Sequence, residues 1–139
     1  MKLFFIITKK SLLITLCLAV VLFLTAMWSS SLRLANIDGS THEQRMLFIK
    51  SLGITVDEEA VTVKETVIPQ KFGYVYDRYN ELQNKAGFDL SPFKGKAVTV
   101  YGYPLLSEEK ILTLIVCDDK IIGGDIAETD IHGEMKTLR

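Results

Sequence analysis

His42 and His132 are the only imidazoles in the chain of 139 residues, and His132 follows Asp125, Glu128 and Asp130 closely enough to raise a cation site. Metal sites need ligands that converge on one point, and this cluster has none of the spacings that bring side chains together. It reads better as a solvated acidic tail, and His42 reads as an exposed residue in a first helical turn. Glu58-Glu59 and Glu108-Glu109 are paired acids of the kind that general acid–base chemistry uses. That chemistry needs a carboxyl with a shifted pKa in a cleft, whereas both pairs stand beside expected turns, where charge faces water. Tyr74, Tyr76 and Tyr79 invite stacking against sugars, but Tyr76 and Tyr79 fall on an expected core stripe, which leaves only Tyr74 outward. No nucleophile elbow, phosphate-cradling glycine loop or HExxH is present. The expectation is therefore a non-enzymatic protein with no catalytic, cofactor-binding or metal-binding residues and no cofactor.

Charge is distributed unevenly around these residues. All 17 acidic residues lie at or beyond Asp38, while Lys2, Lys9, Lys10 and Arg33 are the only basic residues before it. Removing those four from the 16 basic residues leaves 12 against 17 acids, about -5 from Asp38 onward. Such a domain is a poor match for a nucleic-acid backbone, whose affinity rests on clustered Lys and Arg.

Residues 11–32 form an uncharged run of 22, nearly continuous in Leu, Ile, Val, Phe and Ala from Leu12 to Trp28. As a helix it would extend roughly 33 Å, enough for a hydrocarbon layer of about 30 Å. Lys2, Lys9 and Lys10 on its N-terminal side place that end in the cytoplasm, and Trp28 suits the far interface. The alternative is a cleaved signal peptide using Ser29 and Ser31, but the run is long and Met27 and Trp28 are bulky beside that site. Cys17 is preceded by Leu16, unlike a lipoprotein signal. The chain divides into a cytoplasmic tail (1–10), a spanning anchor (11–32), a linker (33–39) and an extracytoplasmic domain (40–139). Cys17 and Cys117 lie on opposite sides of that membrane, so they cannot pair within one molecule, and Cys117 reads as a buried strand residue.

In the domain, Ser40 followed by Glu43 forms a capping box that predicts a helix start. Phe48, Ile49 and Leu52 make its buried stripe, with Arg45 and Lys50 outside it, and Gly53 ends it. Val61, Val63, Glu65 and Val67 alternate with their neighbours as a strand with one better-buried face, closed by Pro69. Phe72, Val75, Tyr76, Tyr79, Leu82 and Ala86 predict an amphipathic helix stopped by Gly87. Strands follow from Ala97 to about Tyr103 and from Ile111 to Cys117, the latter apolar enough to be covered on both faces. Asp118-Asp119 joins it to Lys120-Ile121-Ile122 as a two-residue hairpin, and Gly123-Gly124 predicts a bulge or close packing. The order implies an α+β fold, an antiparallel sheet of about four strands with two helices packed on it.

Three segments, Lys50 to Gly53 (KSLG), Phe88 to Lys96 (FDLSPFKGK) and Ile121 to Asp125 (IIGGD), together resemble domain-of-unknown-function family 4830 of Firmicutes. The resemblance spans about Asn36 to Met135. Ile54 stands where the family pattern has a tryptophan, and Asp119 where an Asp-Gly turn is usual. The resemblance implies a bacterial surface protein with a short N-terminal anchor and carries no activity. The expected partners are the lipid bilayer, through the N-terminal helix, and another envelope protein. The competing expectation is a small envelope hydrolase or ligand-binding domain using the region from Asp125 to His132, and a cystatin-like inhibitor rests on shape analogy alone.

Overall fold

The structure, a computed structural model, describes residues 17–22, 36–129 and 134–138. The chain forms two compact units, Met1–Arg33 and Leu34–Arg139. In the first, residues 17–22 are helical, with Cys17 exposed. The rest of the expected anchor lies outside the described residues, and among those described no helix is long and apolar enough to cross a membrane.

The second unit runs β1 (Ile37–Asp38), α1 (His42–Ser51), β2 (Thr62–Val67), α2 (Tyr74–Lys85), a 3-10 turn (Ser91–Phe93), β3 (Ala97–Pro104), β4 (Lys110–Cys117), β5 (Lys120–Glu128) and β6 (Met135–Thr137). Every strand pairing is antiparallel, in the order β1-β5-β4-β3-β2, with β6 beside β5. The fold is α+β as expected, but the sheet has six strands rather than about four. Two of the segment read as linker, Ile37 and Asp38, pair with Ile121 and Lys120. β5 continues past Gly123-Gly124 to Glu128, and β6 pairs against its second half. Both added strands are too short to show a two-residue period of their own, and β5 templates them.

α1 starts one residue later than the capping box predicts. Asp38 Oδ1 takes the Ser40 N–H at 2.9 Å and the Ser40 hydroxyl at 2.7 Å, so Ser40 is used in a turn. Thr41 then caps the helix, accepting from the Gln44 N–H at 3.2 Å. The helix ends at Leu52 with Gly53 at φ +74°, where a side chain would strain the backbone.

The two faces of the sheet carry separate cores. On one, Met46, Phe48 and Ile49 of α1 cover Tyr103, Leu112, Leu114, Val116 and Ile121. On the other, Phe72, Tyr76 and Tyr79 lie against Val98, Ile115, Cys117 and Ile122. β4 is thus covered on both faces, as its nearly continuous apolar run predicts. Val75, placed on the buried stripe by its spacing, is instead 76% exposed. Asn80 and Gln83 fill the seam in its place.

The hairpin turn is two residues with positive φ at both Asp118 (48°) and Asp119 (62°). That is the geometry of a type I′ turn, whose twist matches the flanking strands, and Asp tolerates the left-handed region in the absence of glycine. The bulge falls where the glycines predict it. Val116 pairs with Ile121 and Ile115 with Gly123, which leaves Ile122 as the extra residue. A Cβ on Gly123 would sit 2.9 Å from Gln83 Oε1, and one on Gly124 would sit 2.7 Å from Leu138 Cδ1, so both positions need the bare backbone.

Candidate functional site

β2 ends the sheet, and its position overturns the expectation of a better-buried face. All six of its residues are exposed, with Val63 at 59% and Val67 at 55%. α1 covers the strands further into the sheet and leaves β2 bare. Ile68 N donates to Lys96 O at 3.0 Å and Ile68 O accepts from Gly95 N at 2.8 Å, so Ile68 turns its backbone toward β3. Both groups of a residue in an antiparallel strand point to the same side, alternating along the chain. Thr62, Lys64 and Thr66 therefore face β3, and Val63, Glu65 and Val67 offer their N–H and C=O groups to the open edge. The register Val63↔Tyr101, Glu65↔Thr99 and Val67↔Ala97 sets those three side chains on the α1 face. At the opposite end of the sheet two short strands, β1 and β6, share the outer side of β5.

A cleft of about 310 Å³ opens beside Glu65, floored by Thr99, Tyr101 and Val116 and rimmed by Ser40, Asp118 and Asp119. No Lys or Arg is among its lining residues. Asp118 sits 3.0 Å from Lys96 Nζ, and hydrogen bonding and charge from that ammonium hold its carboxyl below the usual carboxylate range. The two Ser40 hydrogen bonds lower Asp38 in the same way. Both stay ionised into mild acid, Asp118 at the cleft rim paired with Lys96 and Asp38 in a neighbouring depression.

Arg45 lies behind the cleft and holds three of its lining residues, Gly39, Ser40 and Tyr101. Expected outside the buried stripe, it is only 7% exposed. Its Nε donates to Tyr103 Oη at 2.9 Å and its Nη1 to Gly39 O at 2.7 Å and Ser40 O at 3.4 Å. The guanidinium carbon lies 3.7 Å from the centroid of the Tyr101 ring. Among the described residues no carboxylate lies within ion-pair distance of it, so two carbonyls, a hydroxyl and a ring face take the place of a counter-ion. Gly39 is held down as well, its N–H donating to Asp119 O at 2.9 Å, and a Cβ there would meet Ile121 Cγ1 at 2.8 Å. One side chain and one glycine thus fix the β1–α1 connection to the hairpin.

Those of the residues singled out by type that are described lie elsewhere and do not converge. His42 is 3.8 Å from Glu58, which also pairs with Lys50 at 3.2 Å. Glu108 pairs with Lys110, and Glu109 accepts from Thr129 through its backbone. Tyr74 is 79% exposed. Asp125 corrects the reading of a solvated tail, since it is 3% exposed and accepts from the Tyr79 hydroxyl at 2.6 Å. Burial raises the Asp125 carboxyl above its ordinary value, and burial with the Asp125 charge pushes Tyr79 far up. Asp130 and His132 lie outside the described residues. Among the described residues no group of three His, Cys, Asp or Glu side chains is placed to hold a metal ion. Cys117 is buried with Sγ 3.6 Å from Ala97 O, and burial raises its thiol.

Asn80 and Gln83, which no motif flagged, tie α2 to the segments that carry the family resemblance. Asn80 Oδ1 accepts from the Leu90 N–H at 2.7 Å, and its Nδ2 donates to Asp89 Oδ1 at 3.0 Å and Ser91 Oγ at 3.1 Å. Gln83 Oε1 accepts from Gly124 N at 2.9 Å, while its Nε2 is buried without a partner. The FDLSPFKGK loop and the double glycine are thus packing features of the helix–sheet seam.

No curated protein and no solved structure matches the chain. The family model for the domain of unknown function DUF4830 matches residues 48–126, from the middle of α1 to the second half of β5 and shorter at both ends than the resemblance read from the motifs. The chain belongs to the DUF4830 family.

Proposed function

We propose that this protein is a non-enzymatic, membrane-tethered binding module of the bacterial cell envelope, of the Firmicutes type, that takes up an extended segment of another protein along β2. The tether reading rests on the uncharged run at 11–32 and the Lys residues before it, which set the N-terminus in the cytoplasm and the domain outside. The observation that carries the binding reading is the edge itself. Val63, Glu65 and Val67 offer backbone groups without a partner among the described residues, and exposed side chains on the same residues, beside a cleft lined by Glu65, Asp118 and Asp119. Strand addition to such an edge draws its affinity from main-chain hydrogen bonds and its selectivity from alternate side chains. Lys64 and Glu65 also discourage indiscriminate pairing, which an uncharged edge would permit.

The test is site-specific photo-crosslinking of the full-length chain in a Gram-positive host. A photoreactive residue at Val63 or Val67 is expected to give a discrete cross-linked species, and the same residue at Tyr74 on the far helix is not. Protease added outside intact cells is expected to remove the domain. Equal cross-linking from all three positions, or a domain protected from the protease, refutes the reading.

A further inference from the structure

We infer that the segment added to β2 is a basic strand of the pattern apolar, any, basic, any, apolar, with its Lys or Arg opposite Glu65. The inference rests on the binding reading above and adds the chemistry of the partner. A strand paired to the outer edge of β2 sets every second side chain on the α1 face, directly across from Val63, Glu65 and Val67. The two valines, each more than half exposed, call for apolar partners.

Between them Glu65 calls for a cation. Asp118 and Asp119 share the cleft with it, Asp118 paired with Lys96 at 3.0 Å, and no Lys or Arg is among the residues that line the cleft. A long basic side chain lays its methylenes beside Val63 and Val67 and sets its charged head on Glu65. On the other face, Lys64 is flanked by Thr62 and Thr66, which suits short polar residues in the incoming strand.

A second copy of this chain is the poorer occupant. An antiparallel two-fold pairing that joins Val63 to Val67 of the other copy sets Glu65 against its own counterpart, and like charges directly opposite are unfavourable. A positively charged strand reverses the sign of that central pair.

Two blocked peptides test this, acetyl-Thr-Val-Thr-Lys-Thr-Val-Thr-amide and the same sequence with Glu in place of Lys. Each is titrated into the 15N-labelled full-length chain in non-ionic detergent at low salt, following the amides of Val63, Glu65 and Val67. The Lys peptide is expected to shift all three with about tenfold preference over the Glu peptide, from the swing between an opposite-charge and a like-charge cross-strand pair. Glu65→Gln is expected to abolish that preference and Glu65→Lys to invert it, and N-methylation of alternate peptide amides is expected to abolish binding. Equal binding of both peptides overturns the basic partner and leaves strand addition standing. No shift at β2 with either peptide overturns strand addition as well. A two-fold-symmetric dimer of the free chain joined through β2 overturns the assignment of this edge to a partner.

Discussion

Replacing Arg45 with Met isolates the contribution of a buried cation that has no counter-ion. The substitution keeps a long apolar stem and removes hydrogen bonds to Tyr103 Oη, Gly39 O and Ser40 O together with the stacking on Tyr101. Two of these acceptors are closed in by protein, and leaving each unpaired costs about 1–3 kcal/mol. The lost ring stacking adds about 1–2 kcal/mol. Against this, Met need not be desolvated as a cation, which returns several kcal/mol. The expected net loss is about 2 kcal/mol. Urea unfolding of the full-length chain in non-ionic detergent measures it by circular dichroism, since the single Trp28 lies in the apolar run and does not report on the domain. With a denaturant slope of about 1–2 kcal/mol per M, the midpoint should fall by about 1–2 M. Tyr103→Phe, which strands the Arg45 Nε, should lower it by a comparable amount. An Arg45→Met variant as stable as the parent, or more stable, would show that solvation outweighs the hydrogen bonds and that Gly39 and Ser40 do not depend on this residue for their place.

Further consequences concern the helix–sheet seam. Asp125 holds its proton to higher pH in the folded domain than in the unfolded chain, so its contribution is full below the unfolded carboxylate value and is lost as pH rises through the raised folded value. Asp125→Asn, which still accepts from Tyr79, should remove that loss and flatten the stability profile over this range in pH-dependent urea titrations; an unchanged profile contradicts the buried-carboxyl assignment. Asn80→Ala strands the Leu90 N–H and should cost about 1–3 kcal/mol in the same assay, with amide exchange accelerated at residues 88–93. Gly124→Ala drives a methyl toward Thr113 O and Leu138 and should cost about 1–3 kcal/mol; a neutral result would mean that β6 shifts freely away from β5.

Much of the fold is legible from periodicity because the relevant segments are long enough to display it. The β4–β5 hairpin shows a nearly continuous apolar run, a two-residue turn and a glycine pair, and each has the structural meaning its chemistry suggests. β1 and β6 are not legible, since two and three residues cannot show a period and only β5 defines them. The alternation of β2 is real but misleading about burial, because a two-residue period distinguishes the faces of a strand without saying whether anything covers either face. Arg45 precedes Phe48, Ile49 and Leu52 by three, four and seven positions, so helical spacing does place it on the buried stripe; its charge is what set it aside. Asn80 and Gln83 follow Tyr76 by four and seven in the same way. A polar residue in phase with an apolar stripe, near backbone groups that no ladder satisfies, was the available signal. The edge and its cleft had no such signal, because they arise from strand order, which tertiary packing sets.

The most direct measurement is amide hydrogen exchange over residues 61–68 of the full-length chain, compared between intact host membranes and the purified protein in detergent. Slow exchange of this segment in the membranes and fast exchange after purification, with β4 equally protected in both, is the expected result of a strand bound along β2. Equal exchange of this segment in the two preparations would mean that the edge stays open in the cell and that β2 is not the binding surface.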